Sequence, residues 1–220
     1  LLRIRQYEWS VVKMDVAGRV VLITGASSGV GAALAEHLAG MGARVVVNYS
    51  RSADAAEAVV SRITSAGGQA LAVQADVSEE ADCKRLVAAA IEQFGQLDVL
   101  VNNAGTTTFV PHDQLEALTE EIWLRTLRVN LIGAFMMSRE AAPHIGAAGG
   151  GEIIMTSSIA SMTANGSSIA YCASKAGMNS LTRTLAKTLG KQKIRVNAVL
   201  PGLIDGDWAF NTWGGGDAEQ

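Results

Sequence analysis

Tyr171 and Lys175 stand four residues apart in a segment of helical period, a spacing that puts both side chains on one helix face within mutual reach. A free phenol titrates at about pH 10, so a tyrosine that exchanges protons near neutrality needs a cation beside it, and Lys175 can supply one. Ser158 follows an apolar run upstream and offers a hydroxyl, with Ser157 as its alternative. Each residue also has an ordinary reading: a half-buried ring, a solvated amine, and a cap or turn hydroxyl. A second stretch with chemical content is Thr24-Gly25-Ala26-Ser27-Ser28-Gly29-Val30-Gly31, set between a β-branched run and a helical segment. There Gly25 permits a tight turn, Gly29 lets backbone N–H groups approach a pyrophosphate, and Gly31 lets helix and strand pack closely, while the helix N-terminus supplies a positive field. The glycine spacing departs from G-x-G-x-x-G and lacks the G-K-[ST] ending, which disfavours a P-loop and favours a dinucleotide. No G-x-S-x-G elbow surrounds Ser158, so an acyl-transfer role is disfavoured, and no His/Cys ligand set calls for a metal.

The elements that must position these residues alternate. Strands are expected at Val20 to Thr24, Arg44 to Asn48, Gln69 to Ala75, Leu97 to Val101, Glu152 to Ser157 and Ile194 to Val199, with longer segments of helical period between them. Most of these runs are too apolar for a one-sided sheet, so both faces should be covered. Val30, Leu34, His37, Leu38 and Met41 form one expected core-facing stripe, and Leu86, Val87, Ala90, Ile91 and Phe94 another. The fold class is therefore α/β, a doubly wound Rossmann-type parallel sheet that binds ligands at the carboxyl ends of its strands. Residues 1–13 read as an extension outside the fold, 14–204 as the dinucleotide-binding catalytic domain, and 205–220 as a Gly-rich segment. With 220 residues, 49% hydrophobic, 18% charged and a mean hydropathy of +0.21, the chain can bury a core and is not disordered. A net charge of −3 without a basic cluster excludes a nucleic-acid partner, and no apolar run is long enough for a membrane span. Two cysteines with neither disulfide nor metal spacing fit a cytoplasmic location, and Cys172 reads as packing.

The glycine loop resembles the cofactor loop of the classical short-chain dehydrogenase/reductases, and three further motifs follow in that family's order. These are Asn102-Asn103-Ala104-Gly105, Ser158 followed by Tyr171-x-x-x-Lys175, and Pro201-Gly202. The resemblance covers roughly 18–204 and is strongest to 3-oxoacyl-thioester reductase-like members. It implies hydride transfer between a nicotinamide and a carbonyl or secondary alcohol. Tyr171 would be the general acid/base, Ser158 would hold the substrate oxygen, Lys175 would bind the ribose and lower the tyrosine pKa, and Asn130 would hold a proton-relay water. It further implies cofactor contacts from Gly25, Ser27, Ser28, Gly29, Val30 and Gly31, from Asp76 and Val77 beside the adenine, from Asn103, Ala104 and Gly105 along the ribose, and from Pro201, Gly202 and Ile204. Asp76 has a second reading as a helix cap. At the second strand's end, Val47-Asn48-Tyr49-Ser50-Arg51 carries no carboxylate, and Arg51 with Asn48 and Ser50 could receive a 2′-phosphate. NADP(H) is thereby favoured over NAD(H), although Ser28 stands where NADP-preferring relatives often carry a cation. Relatives are commonly tetramers, so a homo-oligomer, dimer or tetramer, acting on a small carbonyl or alcohol substrate is implied. Two features depart from the pattern: Gly206 replaces the usual Thr, and the family's last strand and substrate lid are apparently absent. The competing reading is a non-catalytic dinucleotide-binding scaffold of the same fold.

Overall fold

The computed structural model describes residues 16–204. The readings placed on 1–13 and 205–220, Gly206 and the family's last strand and lid included, lie outside these residues.

Six parallel strands form one sheet in the order β3-β2-β1-β4-β5-β6. They are β1 (Val20–Ile23), β2 (Arg44–Tyr49), β3 (Gln69–Gln74), β4 (Val99–Asn102), β5 (Gly151–Thr156) and β6 (Ile194–Val199). Each expected strand is present, with ends that move by no more than two residues. The order reverses between β1 and β4, the place where a doubly wound sheet opens a ligand crevice at its carboxyl edge.

Alternation along β1 explains why both faces are buried. Val20 and Leu22 join one core with Leu86, Leu100, Met137, Ile153 and Met178, whereas Val21 and Ile23 join the other with Val45, Val47, Val59 and Ile63. Helices α1 (Gly29–Gly40) and α2 (Ala53–Ser65) cover the second layer. The first is covered by α3 (Glu80–Phe94), α5 (Ala134–Ala147) and α7 (Ile169–Leu189). Between α3 and α5 lies α4 (Glu120–Leu127), joined to α5 by a wide π-helical turn over Arg128–Gly133. A short α6 (Ala160–Thr163) precedes α7. Among the described residues no helix is long and apolar enough to cross a membrane.

The α3 stripe faces the core as expected, with Leu86, Val87 and Ala90 buried and Ile91 and Phe94 packed against them. The α1 stripe does not. Val30 and Met41 are exposed at 44% and 43%, His37 is exposed too, and the buried face is Gly31, Ala32, Ala35 and Ala39. Small residues let α1 lie close to β1 and β2, and this proximity carries its N-terminus to the glycine turn. Leu34 and Leu38 pack only along the flank.

Opposite the crevice, the amino ends of the strands are pinned by charge. Buried Glu152 on β5 pairs with Arg19 at 2.8 Å and with Arg195 on β6, and Asp98 accepts a hydrogen bond from the Val20 amide at 2.7 Å. These contacts hold β1, β5 and β6 in register at the end remote from the site.

Candidate active site

The glycine turn leaves β1 with Gly25 and Gly29 at φ +63° and +54°, a left-handed backbone that glycine adopts without strain. A Cβ on Gly25 would lie 2.9 Å from the Ala104 Cα, and one on Gly31 would lie 2.5 Å from the Gly25 carbonyl oxygen and 2.6 Å from Asn103 Nδ2. The turn is thus packed hard against the segment after β4. Thr24 Oγ1 accepts hydrogen bonds from the Asn103 and Ala104 amides at 3.0 Å, and Asn103 Nδ2 donates to the Thr24 and Gly25 carbonyls at 3.0 Å. The Asn103 amide group therefore braces the turn, and it can offer a ligand only its remaining Oδ1.

Ser28, Gly29 and Val30 are exposed at the start of α1, and the Ser28 side chain caps none of the first-turn amides. A Cβ on Gly29 would meet open space. Unpartnered N–H groups at a helix N-terminus, with backbone exposed above them, suit a phosphate. The residues present fit the diphosphate of a dinucleotide.

Asn48 corrects the sequence expectation. Its side chain is 2% exposed, Oδ1 accepts from the Gly25 amide at 3.1 Å, and Nδ2 donates to the Ala75 carbonyl at 3.0 Å and the Val73 carbonyl at 3.3 Å. Both ends of this carboxamide are committed inside the protein, where it ties β3 to the glycine turn, and none is left to receive a phosphate. Ser50 and Arg51 are exposed just beyond, and Gln74 Nε2 fixes the Ser50 carbonyl at 3.0 Å. Asp76 makes a local turn, accepting from the Ser78 amide at 2.9 Å and the Ser78 hydroxyl at 2.7 Å, so it does not cap α3, whose N-cap is Glu79. Val77 is buried beside it.

Ser158, Tyr171 and Lys175 converge at the carboxyl ends of β5 and β6. Ser168 caps α7 by accepting from the Tyr171 amide at 3.2 Å, which sets Tyr171 in the helix's first turn. The Tyr171 phenol hydrogen-bonds the Ser158 hydroxyl. Ser157 is turned away, donating to the Lys175 carbonyl at 3.2 Å, so Ser158 is the serine at the site. Lys175 is 3% exposed, and Nζ donates to the Thr156 carbonyl at 2.6 Å, 5.6 Å from the centre of the Tyr171 ring. A Cβ on Gly105 would lie 3.9 Å from Lys175 Nζ, so the segment after β4 meets the site directly. Past β6, the Pro201 carbonyl accepts from the Ile159 amide at 2.9 Å, which joins the loop carrying Gly202 and exposed Ile204 to the loop carrying Ser158.

Electrostatics here differ from the sequence expectation. Burial pushes the Tyr171 phenol up from its ordinary value of 10.0, the Ser158 hydrogen bond opposes that rise, and Lys175 is not among the groups that move it. The ammonium is committed to Thr156, and desolvation of the phenolate wins. At neutral pH Tyr171 therefore holds its proton, which suits a donor. Burial also pulls Lys175 down from 10.5 to about 8. The unfolded chain keeps this proton up to about 10.5 while the folded chain loses it at about 8, so the folded state binds fewer protons in that window. The contribution of Lys175 to the stability of the cofactor-free protein therefore rises with pH from about 8 to 10.5, while buried Cys83, raised from 9.0 to about 11, pulls the other way above pH 9; the difference between the parent and Lys175→Met, followed by chemical denaturation at several pH values, should show the rise.

Asn130 supports the site from the π-helical turn. Fully buried in the π-helical turn, it accepts from the Thr106 amide at 2.7 Å and donates to the Thr106 carbonyl at 2.9 Å and Ser174 Oγ at 3.1 Å. Both of its amide hydrogens are spent on Thr106 and Ser174, so its side chain positions α7 and the segment after β4. Ser174, which donates to the Tyr171 carbonyl at 2.7 Å, and Thr24 are contributors the sequence reading passed over, although both stand inside the quoted motifs. Cys172 is buried and its thiol is pushed up by burial, in keeping with a packing role.

Comparison with known proteins agrees with this geometry. The chain is 47% identical over 193 residues to a Streptomyces violaceoruber protein named for ketoacyl reduction in the granaticin polyketide synthase, covering 88% of this chain and 76% of that one. It is 38% identical over 201 residues to a hydroxynaphthalene reductase-like protein of Metarhizium guizhouense, covering 90% and 73%. Among solved structures, NAD+-bound xylitol dehydrogenase superposes with a TM-score of 0.84 at 29% identity, over 90% of this chain and 75% of that chain. The short chain dehydrogenase family model matches residues 19–213, and with the nicotinamide-type crevice and the Ser158, Tyr171 and Lys175 cluster at its mouth, the chain belongs to the short-chain dehydrogenase/reductase oxidoreductases.

Proposed function

We propose that the protein is an NADPH-preferring ketone reductase in which Tyr171 is the general acid. The observation that carries this reading is the meeting of a protonated, half-buried Tyr171 with Ser158 and Lys175 beside the segment that packs on the glycine turn. The chemistry that a bound nicotinamide supplies is a hydride for the carbonyl carbon. As charge develops on the carbonyl oxygen, Tyr171 gives it the phenolic proton, and the Ser158 hydroxyl hydrogen-bonds the same oxygen. Lys175, anchored on Thr156, would offer the remaining hydrogens of its ammonium to the ribose hydroxyls. First-turn amides of α1 would hold the diphosphate, Asp76 and Val77 would border the adenine, Asn103, Ala104 and Gly105 would lie along the adenosine ribose, and Pro201, Gly202 and Ile204 would flank the nicotinamide.

Arg51 supports NADPH over NADH. It is exposed at the end of β2 with no ion pair among the described residues, beside the Ser50 hydroxyl. A charge-assisted hydrogen bond is worth about 1.5–3 kcal/mol, so Arg51→Ala should weaken NADPH binding about 10- to 100-fold and leave NADH binding nearly unchanged. Equal loss for both cofactors, measured by fluorescence titration, would remove Arg51 from the 2′-phosphate site.

For substrate, the reading is a bicyclic aromatic ketone. The names of the polyketide and hydroxynaphthalene relatives support it, as do the exposed apolar side chains of Phe109 on the loop after β4 and of Ile159 and Met162 at the start of α6 and within it. The probe is α-tetralone, with loss of NADPH absorbance followed in the parent and in Tyr171→Phe. A homo-oligomer through α4 and α5 fits the exposed Leu124, Ile132 and Phe135, and a reducing cytoplasm fits two buried free cysteines.

A further inference from the structure

The two hydroxyls that meet the carbonyl oxygen stand on different elements, Ser158 in the loop after β5 and Tyr171 on α7, so their separation must be held by something. Ser158 Oγ itself accepts from the Ala160 amide at 3.2 Å, which orients the side chain but does not tie its loop to α7. Ser157 Oγ on the Lys175 carbonyl and Lys175 Nζ on the Thr156 carbonyl tie the start of that loop to α7, and a second tie lies beyond Ser158. Ser161 Oγ donates to the Ser158 carbonyl at 2.6 Å, and Asn179 Nδ2 donates to Ser161 Oγ at 2.7 Å. Asn179 stands eight residues after Tyr171 on the same helix, about two turns along it. The contacts therefore close a ring: Tyr171 to Ser158, Ser158 to Ser161, Ser161 to Asn179, and Asn179 back through α7 to Tyr171.

We infer that Ser161 and Asn179 are positioning residues that fix the Ser158 hydroxyl against Tyr171 and thereby set the proton-donating geometry of the site. The inference rests on the proposed roles of Tyr171 and Ser158. A second observation separates it from ordinary packing. Asn179 Oδ1 is buried without a hydrogen-bond partner among the described residues. An unpaired buried acceptor destabilises, so a residue present only for stability would be better as leucine at this position. What the carboxamide contributes instead is the single donor to Ser161.

The test uses protein labelled with [13Cζ]tyrosine, whose three tyrosines give separable signals and whose Tyr171 signal is assigned by its loss in Tyr171→Phe. Because the Ser158 hydrogen bond holds the phenol down, weakening the ring raises the pH at which Tyr171 titrates. In Asn179→Leu and in Ser161→Ala the Tyr171 titration should move up by about half a pH unit, about threefold in proton affinity. Thermal stability of Asn179→Leu should be equal to the parent or higher. Turnover of α-tetralone should fall about tenfold at unchanged KM for NADPH, within the about 100-fold cost of misplacing a reacting group by about 1 Å. The double variant should lose no more than either single one, since both break one ring, and Ser161→Thr, which keeps the hydroxyl, should restore the parent titration. An unmoved Tyr171 signal in both folded single variants overturns the inference, as does a destabilised Asn179→Leu with parent-like titration. Retained turnover in Tyr171→Phe would instead overturn the reading of the site itself, whatever the ring does.

Discussion

Tyr171→Phe is expected to lower ketone reduction by about 10²- to 10⁴-fold while NADPH binds as before, the range that a positioned general acid contributes. The substitution removes one oxygen from a ring that is otherwise held by α7, and the Ser168 cap that seats residue 171 acts through the backbone amide and survives. Lys175 keeps its anchor on the Thr156 carbonyl, so the part of the site that would hold the ribose is undisturbed. Loss should therefore appear in kcat and not in cofactor affinity, which is the signature of an interaction made in the transition state. A binding scaffold would behave otherwise, with cofactor affinity and whatever function follows from it both unchanged. Parallel measurements of α-tetralone turnover and NADPH affinity separate the two.

The second large effect is at Gly31. An added methyl would stand 2.5 Å from the Gly25 carbonyl oxygen, 2.6 Å from Asn103 Nδ2 and 2.9 Å from the Ala26 Cα. Two of these atoms are backbone, and the third belongs to the side chain that braces the turn through the Thr24 and Gly25 carbonyls. None can move without opening the glycine turn. Gly31→Ala should cost about 3 kcal/mol, the upper part of the range for overpacking, and weaken NADPH binding at least about 100-fold by displacing the first-turn amides. Gly40, on the same helix, is the control: an added methyl there meets nothing within 4 Å, and its φ is not positive. Gly40→Ala should be neutral or stabilising by up to about 1 kcal/mol, with unchanged NADPH affinity. Equal behaviour of the two variants in calorimetry and titration would contradict the packing described for the turn.

Local features of the chain carry the strands and the glycine turn well, because β-branched runs and glycine spacing express backbone needs directly. The face of α1 was not legible in the same way. Hydropathy gives weight to Val30, Leu34 and Met41, but close approach to β1 needs the smallness of Gly31, Ala32, Ala35 and Ala39, which apolar periodicity does not register. Asn48 looks like a ligand group when read beside Ser50 and Arg51. Its commitment to Gly25, Val73 and Ala75 depends on partners 23 to 27 residues away, across the sheet. The same holds for Tyr171. An i, i+4 lysine suggests a lowered phenol, yet Lys175 is turned to a carbonyl at the end of β5, and burial sets the direction instead. Motif spacing thus singled out Ser158, Tyr171 and Lys175, which the fold brings together, while their protonation and their supports, Ser161, Ser174 and Asn179, depend on contacts between elements.

The most direct test of the central claim follows the hydride itself. Incubation of the protein with α-tetralone and NADPH deuterated at nicotinamide C4, on each face in turn, should give an alcohol carrying deuterium at the carbinol carbon from one face only, and Tyr171→Phe should give almost none. Tight NADPH binding with no deuterium in the product from either face would contradict a reductase of this substrate class, and equal labelling by Tyr171→Phe would contradict the proton donor assigned to it.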